Sequence, residues 1–62
     1  MKLIRLSAVI DRTALSRSTL YELIAKGHFP KPVKISGARS NAWPEQEVED
    51  YIAARIAERE AA

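Results

Sequence analysis

Four side chains near the start of a predicted helix carry groups that bind anions. One guanidinium and three hydroxyls stand close together, on Arg17, Ser18, Thr19 and Tyr21. These groups donate hydrogen bonds to phosphate oxygens, and a helix N-terminus itself favours negative charge. Arg17 opposes the helix dipole at a cost of roughly a few tenths of a kcal/mol, which an incoming phosphate would explain. The alternative is an ordinary solvated helix face behind a favourable cap.

Three more basic side chains follow this helix. They are Lys31, Lys34 and Arg39, and a turn signal at 36–39 predicts that the last two flank or form the tip of a small β-hairpin. A basic ribbon can lie on a phosphate backbone or enter a minor groove. The alternative is that Lys34 and Arg39 merely keep an edge strand soluble.

The charge of the chain is divided unevenly along its length. The net charge of the 62 residues is +2, but residues 1–43 hold eight basic and two acidic side chains, whereas residues 44–62 hold two basic and six acidic ones. The first segment therefore carries +6 and the second −4. This asymmetry indicates a nucleic acid or another acidic partner. Two solvated faces that balance each other are the alternative.

The same composition argues against an enzyme, a metal site or a membrane protein. The chain lacks cysteine, which excludes disulfides and thiolate ligands. His28 is the only histidine and has no catalytic or ligating partner beside it, so we expect no catalytic residue, metal or cofactor. No apolar run approaches the roughly 20 residues that span a bilayer, and the first five residues are too short for a secretory signal. A cytoplasmic location is expected.

Capping residues predict where the first two helices begin and end. Ser7 is the predicted N-cap of a short helix over 8–13. Ser16 is the predicted N-cap of a second helix over 17–26, which Gly27 ends in a left-handed conformation. We expect His28, directly after this end, to satisfy a free carbonyl with its imidazole.

The rest of the chain predicts a hairpin and a third helix. Residues 3–6 form an extended lead-in. Residues 33–35 alternate apolar, basic and apolar, as a half-buried strand does, and 40–43 return as its partner. Pro44 suits the first turn of the third helix, where its missing N–H costs nothing.

Apolar spacing predicts one small core in a single domain over residues 1–62. A chain of this size buries only about 60% of the surface that its unfolded form exposes. For Trp43 we favour a place in the core over a role as an exposed base-stacking platform. The residues predicted to face inward are Val9, Ile10, Leu20, Leu23, Ile24, Phe29, Trp43, Val48, Tyr51, Ile52 and Ile56. Those predicted to face outward include Asp11, Arg12, Ser18, Tyr21, Glu22 and Ala25.

Two short helices separated by a three-residue turn have the spacing of a helix-turn-helix. In that motif the first helix braces the second, which presents its N-terminal turns to base edges in the major groove of DNA. The pattern therefore favours DNA binding by the second helix.

Four segments of the chain resemble one known family. They are 15–21, 27–34, Trp43 and 47–49, and the resemblance extends over about 3–56. It is to the AlpA family of small prophage-associated regulators, which is similar to excisionases and to the winged-helix part of MerR-type proteins. The resemblance implies a mainly α fold with a small β-hairpin, namely a winged helix-turn-helix of three helices plus a wing. It also implies a sequence-specific DNA-binding transcriptional regulator without catalytic activity, located in the cytoplasm on the nucleoid.

The resemblance also assigns site residues and partners. On the recognition helix, the DNA contacts are expected from Arg17, Ser18, Thr19 and Tyr21. On the wing they are expected from Lys34 and Arg39, with Lys31 as a weaker candidate. The expected partners are double-stranded DNA and, for an excision factor, an integrase or further copies of the chain. The alternative is a protein-interaction accessory or antirepressor that binds an integrase or repressor through the acidic third helix.

Two residues depart from the pattern of the family. Ala14 stands where glycine is usual in the turn, and positive φ there would cost alanine roughly 1 kcal/mol. Asn41 stands where an apolar residue is common in the second wing strand. Its polarity is expected to loosen the packing of the wing.

Overall fold

The computed structural model describes residues 1–36 and 40–61, and in them it shows three helices and a small antiparallel sheet. The elements in chain order are β1 (Leu3–Ile4), α1 (Leu6–Thr13), α2 (Arg17–Ala25), β2 (Val33–Ser36), β3 (Ser40–Pro44) and α3 (Glu45–Ala61). The fold is mainly helical with a β wing and is compatible with a winged helix. The predicted fold class is confirmed.

The three strands lie in the order β1-β3-β2. Leu3 pairs with Pro44 and Ile4 with Trp43, so the extended lead-in is a true strand of the sheet. The backbone N–H of Glu45 also donates to the carbonyl oxygen of Lys2 at 2.7 Å. On the other side of β3, β2 forms the hairpin with an irregular register between Lys34 and Ser36. The tip of the predicted turn, 37–39, lies outside the described residues.

The core gathers one or two apolar side chains from nearly every element around Trp43. Its fully or almost fully buried members are Ile4, Val9, Leu20, Phe29, Trp43 and Val48. The indole Nε1 of Trp43 donates to the carbonyl oxygen of Pro30 at 2.9 Å, which ties the wing to the segment after α2. Phe29 meets Tyr51 edge to face, with ring centroids 4.7 Å apart. The prediction that Trp43 and Phe29 belong to the core is confirmed.

The first and third helices do not begin where the capping residues predicted. The strands that precede them pair with each other, and this pairing determines where each helix begins. α1 begins at Leu6, and the N-cap is Arg5, whose side chain makes no capping bond. The backbone N–H groups of Ala8 and Val9 both donate to the Arg5 carbonyl, which places Ser7 inside the first turn. Pro44 is not in the first turn of α3, since its pairing with Leu3 keeps it extended.

The predicted inward faces of β2 and of the end of α3 are wrong. Val33 and Ile35 are 41% and 46% exposed, because β2 pairs with β3 at one edge of the sheet and none of the described helices packs over its residues. Ile56 is 46% exposed, because α3 continues beyond the core, whose last contact along this helix is Ile52. The inward face of α2 and the burial of Val48 match the prediction.

The ends of α2 follow local sequence signals closely. Ser16 accepts from the backbone N–H of Thr19 at 3.2 Å, as an N-cap does. The helix ends at Ala25 with Lys26 as C-cap, one residue earlier than predicted. Gly27 has φ +79°, and the N–H groups of Gly27 and His28 donate to the carbonyls of Ile24 and Leu23 in a Schellman arrangement. The backbone of His28, and not its imidazole, therefore satisfies the free carbonyl.

Ala14 ends α1 in the left-handed region, with φ 60° and ψ 18°, while its N–H donates to the Ile10 carbonyl. The condition under which alanine is strained in this turn, a positive φ, is therefore met. Glycine adopts this conformation without the steric penalty of a Cβ, which amounts to about 1 kcal/mol.

We predict that Ala14→Gly raises the melting temperature by several degrees, since about 1 kcal/mol corresponds to roughly 4–8 °C in a domain this small. The measurement is thermal unfolding followed by circular dichroism. Ala54→Gly is the matched control, because Ala54 is exposed within α3 and glycine there should lower the melting temperature. An unchanged or lower value for Ala14→Gly would contradict the strained turn.

Candidate nucleic-acid interface

The outer face of α2 carries the four anion-binding side chains predicted from the sequence. Leu20 is completely buried and fixes the rotation of the helix, so that the opposite face points to solvent. Arg17, Ser18, Thr19 and Tyr21 are all exposed. The Ser16 hydroxyl donates to Thr19 Oγ1 at 2.9 Å, so the Thr19 hydroxyl is part of the cap and keeps its own proton for another acceptor.

Arg17 and Tyr21 form a pair one helical turn apart. The guanidinium carbon of Arg17 lies 6.0 Å from the centroid of the Tyr21 ring, within the range of a cation–π contact. Within residues 1–36 and 40–61, Arg17 takes part in no salt bridge. The contact with Tyr21 restricts the position of the Arg17 guanidinium and leaves its N–H groups available to a ligand.

The wing presents Lys34 to solvent. Lys34 is exposed on β2 and pairs with Asn41 on β3. Paired residues of an antiparallel sheet project their side chains from the same face. Lys31 is exposed in the segment before β2, whereas Arg39 lies outside the described part of the chain.

A polar cleft of about 380 Å³ lies where α1, α2 and β3 meet. Its walls are formed by Arg5, Leu6, Ser7, Arg17, Tyr21 and Asn41. The structure therefore brings two of the predicted residues, Arg17 and Tyr21, against the wing, while Ser18 and Thr19 stay outside the cleft. Arg5 and Ser7 were not predicted as site residues, and no local pattern distinguishes them. Asn41 was noted for its polarity in a position that is usually apolar, but it was expected only to loosen the packing of the wing.

Acidic side chains of α3 are paired with a different arginine. Arg12 donates to Glu45 at 2.6 Å and lies 4.0 Å from Glu49. The hydrogen bond from Arg12, with the positive charges of Arg12 and Lys2, lowers the pKa of the Glu45 carboxyl although partial desolvation opposes this. This pair joins α1 to α3, and none of the six cleft residues is acidic.

The described residues contain neither a metal-binding cluster nor a membrane-spanning helix. No group of three or more histidine, cysteine, aspartate or glutamate side chains lies close enough to hold a metal ion in the part of the chain that the structure covers. Among the helices of that same part, none is both long and apolar enough to cross a bilayer.

Comparisons with known proteins identify a family. Residues 2–56 match the family described as "Prophage CP4-57 regulatory protein (AlpA)", which is a regulatory family and not an enzyme family. The chain is also 45% identical over 58 residues to an uncharacterized protein, ORF88, of Enterobacteria phage P4. That match covers 94% of the chain and 65% of the phage protein, so the chain spans slightly less than two thirds of its relative. The chain belongs to the AlpA family of prophage regulatory proteins.

Proposed function

We propose that the chain is a sequence-specific DNA-binding regulator of a prophage or genomic island. In this proposal residues 1–62 act as one winged helix-turn-helix domain in the cytoplasm, with α2 in a major groove. The observation that carries the proposal is the exposed face of α2. It presents a guanidinium and three hydroxyls, while Leu20 anchors the opposite face in the core. This is how a recognition helix is built.

The hydrophobic anchoring matters because base readout requires a rigid helix. α2 has only nine residues, which is too short to be stable by itself. The Ser16 cap, the Gly27 end and the buried Leu20 together hold it in place. In the proposed complex, Arg17 pairs with a base edge or phosphate, and the hydroxyls of Ser18, Thr19 and Tyr21 donate to phosphate oxygens.

The wing supplies the sequence-independent part of the proposed binding. Lys31, Lys34 and Arg39 contact the flanking backbone or the minor groove in this arrangement. Such contacts release condensed counterions, so the affinity falls as the salt concentration rises.

The proposal is tested by selection from a pool of random 30-base-pair duplexes with the purified chain. Enrichment of a common sequence supports it, and footprinting on the enriched duplex then gives the site, its spacing and the number of bound copies. A single domain of this size reads few base pairs, so we expect two or more copies. Failure to enrich any sequence would overturn the proposal.

We predict that Lys34→Ala weakens binding to the selected duplex and to unrelated duplexes alike. It should reduce the slope of log affinity against log salt by about one unit, because one phosphate contact is lost. The measurement is fluorescence anisotropy at several salt concentrations. Arg59→Ala removes the same charge from the exposed end of α3 and should leave the slope unchanged. Equal slopes for Lys34→Ala and the parent chain would remove Lys34 from the interface.

The proposal includes a role as an excision factor, in which DNA-bound copies assist an integrase. Excision of a marked prophage, measured across the rejoined attachment site with and without the chain, tests this role. An undiminished excision frequency without the chain would contradict it.

The rival function, partner binding through the acidic third helix, has less support in the structure. Glu45 and Glu49 are engaged with Arg12, and Asp50 accepts a hydrogen bond from Gln46 at 2.9 Å. These carboxylates therefore have partners within the chain. The rival predicts that partner binding does not depend on salt through the basic face, and that charge reversal at Glu45, Glu49 or Asp50 abolishes it. Capture of an integrase or repressor with those properties, without any enriched duplex, would favour it.

A further inference from the structure

We propose that the cleft between α1, α2 and β3 binds one backbone phosphate of the DNA. The inference rests on the proposed function and adds three residues to it, Arg5, Ser7 and Asn41. The cleft lies between the recognition helix and the wing. A DNA strand that passes from the groove occupied by α2 to the backbone held by the wing must cross this point.

The charges of the cleft favour an anion. Arg5 and Arg17 line it together, no acidic residue does, and neither arginine forms a salt bridge with any residue in 1–36 or 40–61. Arg12 and Arg55, by contrast, are both paired with carboxylates. Two guanidinium groups beside one cleft repel each other, and a phosphate between them would offset that repulsion. In this arrangement Arg5 donates a charge-assisted hydrogen bond to the phosphate, while Arg17 contributes its positive charge and keeps its planar fork for a base edge.

The uncharged groups of the cleft are suited to the same ligand. Ser7 and Tyr21 bring hydroxyl donors, and Leu6 is the one apolar side chain among the six that line it. Pockets for apolar or aromatic ligands are lined mainly by hydrophobic side chains, which this cleft is not. Lys34 projects from the same sheet face as Asn41 and adds a third positive charge near the cleft.

Asn41 carries a polar atom that the folded chain leaves without a partner. Its Oδ1 is buried and accepts no hydrogen bond from the described residues. A guanidinium or hydroxyl of the cleft wall that turned toward this acceptor on DNA binding would satisfy it. We assign Asn41 the part of a positioning residue, which holds an arginine N–H while the other N–H groups of that arginine bind the phosphate.

The test uses the duplex selected by the parent chain, in which single phosphates are replaced in turn by neutral methylphosphonates. Phosphates contacted by the wing and by the α2 hydroxyls should also be sensitive, so the cleft phosphate is recognised by its coupling to Arg5. We expect one such position in the site of each bound copy, where the replacement weakens binding by about tenfold, as for a charge-assisted hydrogen bond. Arg5→Gln should weaken binding to the unmodified duplex by a similar factor. Arg5→Gln should not weaken binding any further to the duplex that carries the methylphosphonate at that position. Arg59→Gln is the matched control, since it removes the same charge from an exposed site on α3.

Asn41→Val provides the second variant and separates positioning from packing. Valine removes the unpartnered acceptor and suits a strand, so the melting temperature should rise. Affinity for the selected duplex should nevertheless fall several-fold, and the effect of the critical methylphosphonate should shrink. A higher melting temperature with unchanged affinity would overturn the role of Asn41.

The outcomes separate this inference from the proposed function. If the parent chain enriches no duplex, DNA binding fails and the phosphate site fails with it. If the parent chain binds but no methylphosphonate position is coupled to Arg5, the phosphate site is wrong while DNA binding stands. The site is supported if both Arg5→Gln and Asn41→Val are folded by circular dichroism and both lose sensitivity to the methylphosphonate at the critical position.

Discussion

Replacing Trp43 by alanine should remove at least about a third of the free energy of unfolding. Trp43 is completely buried on the central strand of the sheet, and its indole N–H holds the Pro30 carbonyl. Truncation of a buried tryptophan to alanine costs about 3–5 kcal/mol. The whole stability expected for a chain of this length is only about 3–9 kcal/mol. A single substitution therefore removes a large fraction of the total, and in the lower part of that range all of it.

Circular dichroism and urea unfolding measure this effect. Ile56→Ala is the control, because its side chain is almost half exposed on the free part of α3 and its loss should change stability by less than about 0.5 kcal/mol. Trp43→Phe should be intermediate, since it keeps an aromatic ring but leaves the Pro30 carbonyl without its donor, which costs about 1–3 kcal/mol. A Trp43→Ala chain with the parent's unfolding midpoint would contradict this description of the core.

Replacing Arg17 by alanine should weaken binding to the selected duplex by about 1–3 kcal/mol, or roughly 5- to 150-fold, if the guanidinium makes a bidentate contact with a guanine. The exposed position of Arg17 at the start of α2 predicts that stability changes little. The loss should be larger on the selected duplex than on unrelated ones, because a base contact carries sequence information and a phosphate contact does not.

Arg17→Lys distinguishes the geometry of the side chain from its charge. Lysine keeps the positive charge but lacks the planar fork, so it should recover the non-specific part of the affinity and little of the sequence preference. The measurement is anisotropy with the selected duplex and a scrambled one. A loss below about 0.5 kcal/mol in Arg17→Ala would exclude Arg17 from the interface, because a good base contact is worth more than that.

The parts of the fold that were predictable from the sequence are those controlled by neighbouring residues. Ser16 and Gly27 determine the ends of α2 by their own hydrogen bonding and backbone conformation, so both could be recognised locally. Ser7 and Pro44 were misjudged because pairing between β1 and β3, more than 35 residues apart in sequence, overrides the local capping preference. The exposure of Val33 has a similar origin, since nothing in the alternation of β2 reveals which side of the sheet lacks a covering helix.

The candidate site also has one part that was predictable from local sequence and one part that was not. The outward face of α2 follows from helical periodicity, which places Leu20 inward and Tyr21 outward. The cleft depends on tertiary structure, because Arg5 and Ser7 meet Asn41 only when α1 packs beside the wing. The sequence marked Asn41 as unusual, but the direction of its side chain required the fold.

The pairing of β1 with β3 also constrains when the protein can fold during synthesis. Leu3 and Ile4 leave the ribosome early, whereas their partners Pro44 and Trp43 follow about 40 residues later. Contacts so distant in sequence form only after the intervening chain has closed into a loop. The central tryptophan arrives with the same strand, so the nascent chain has no complete core until β3 has emerged. Folding is therefore expected only after β3 has emerged, and β1 stays unpaired until then.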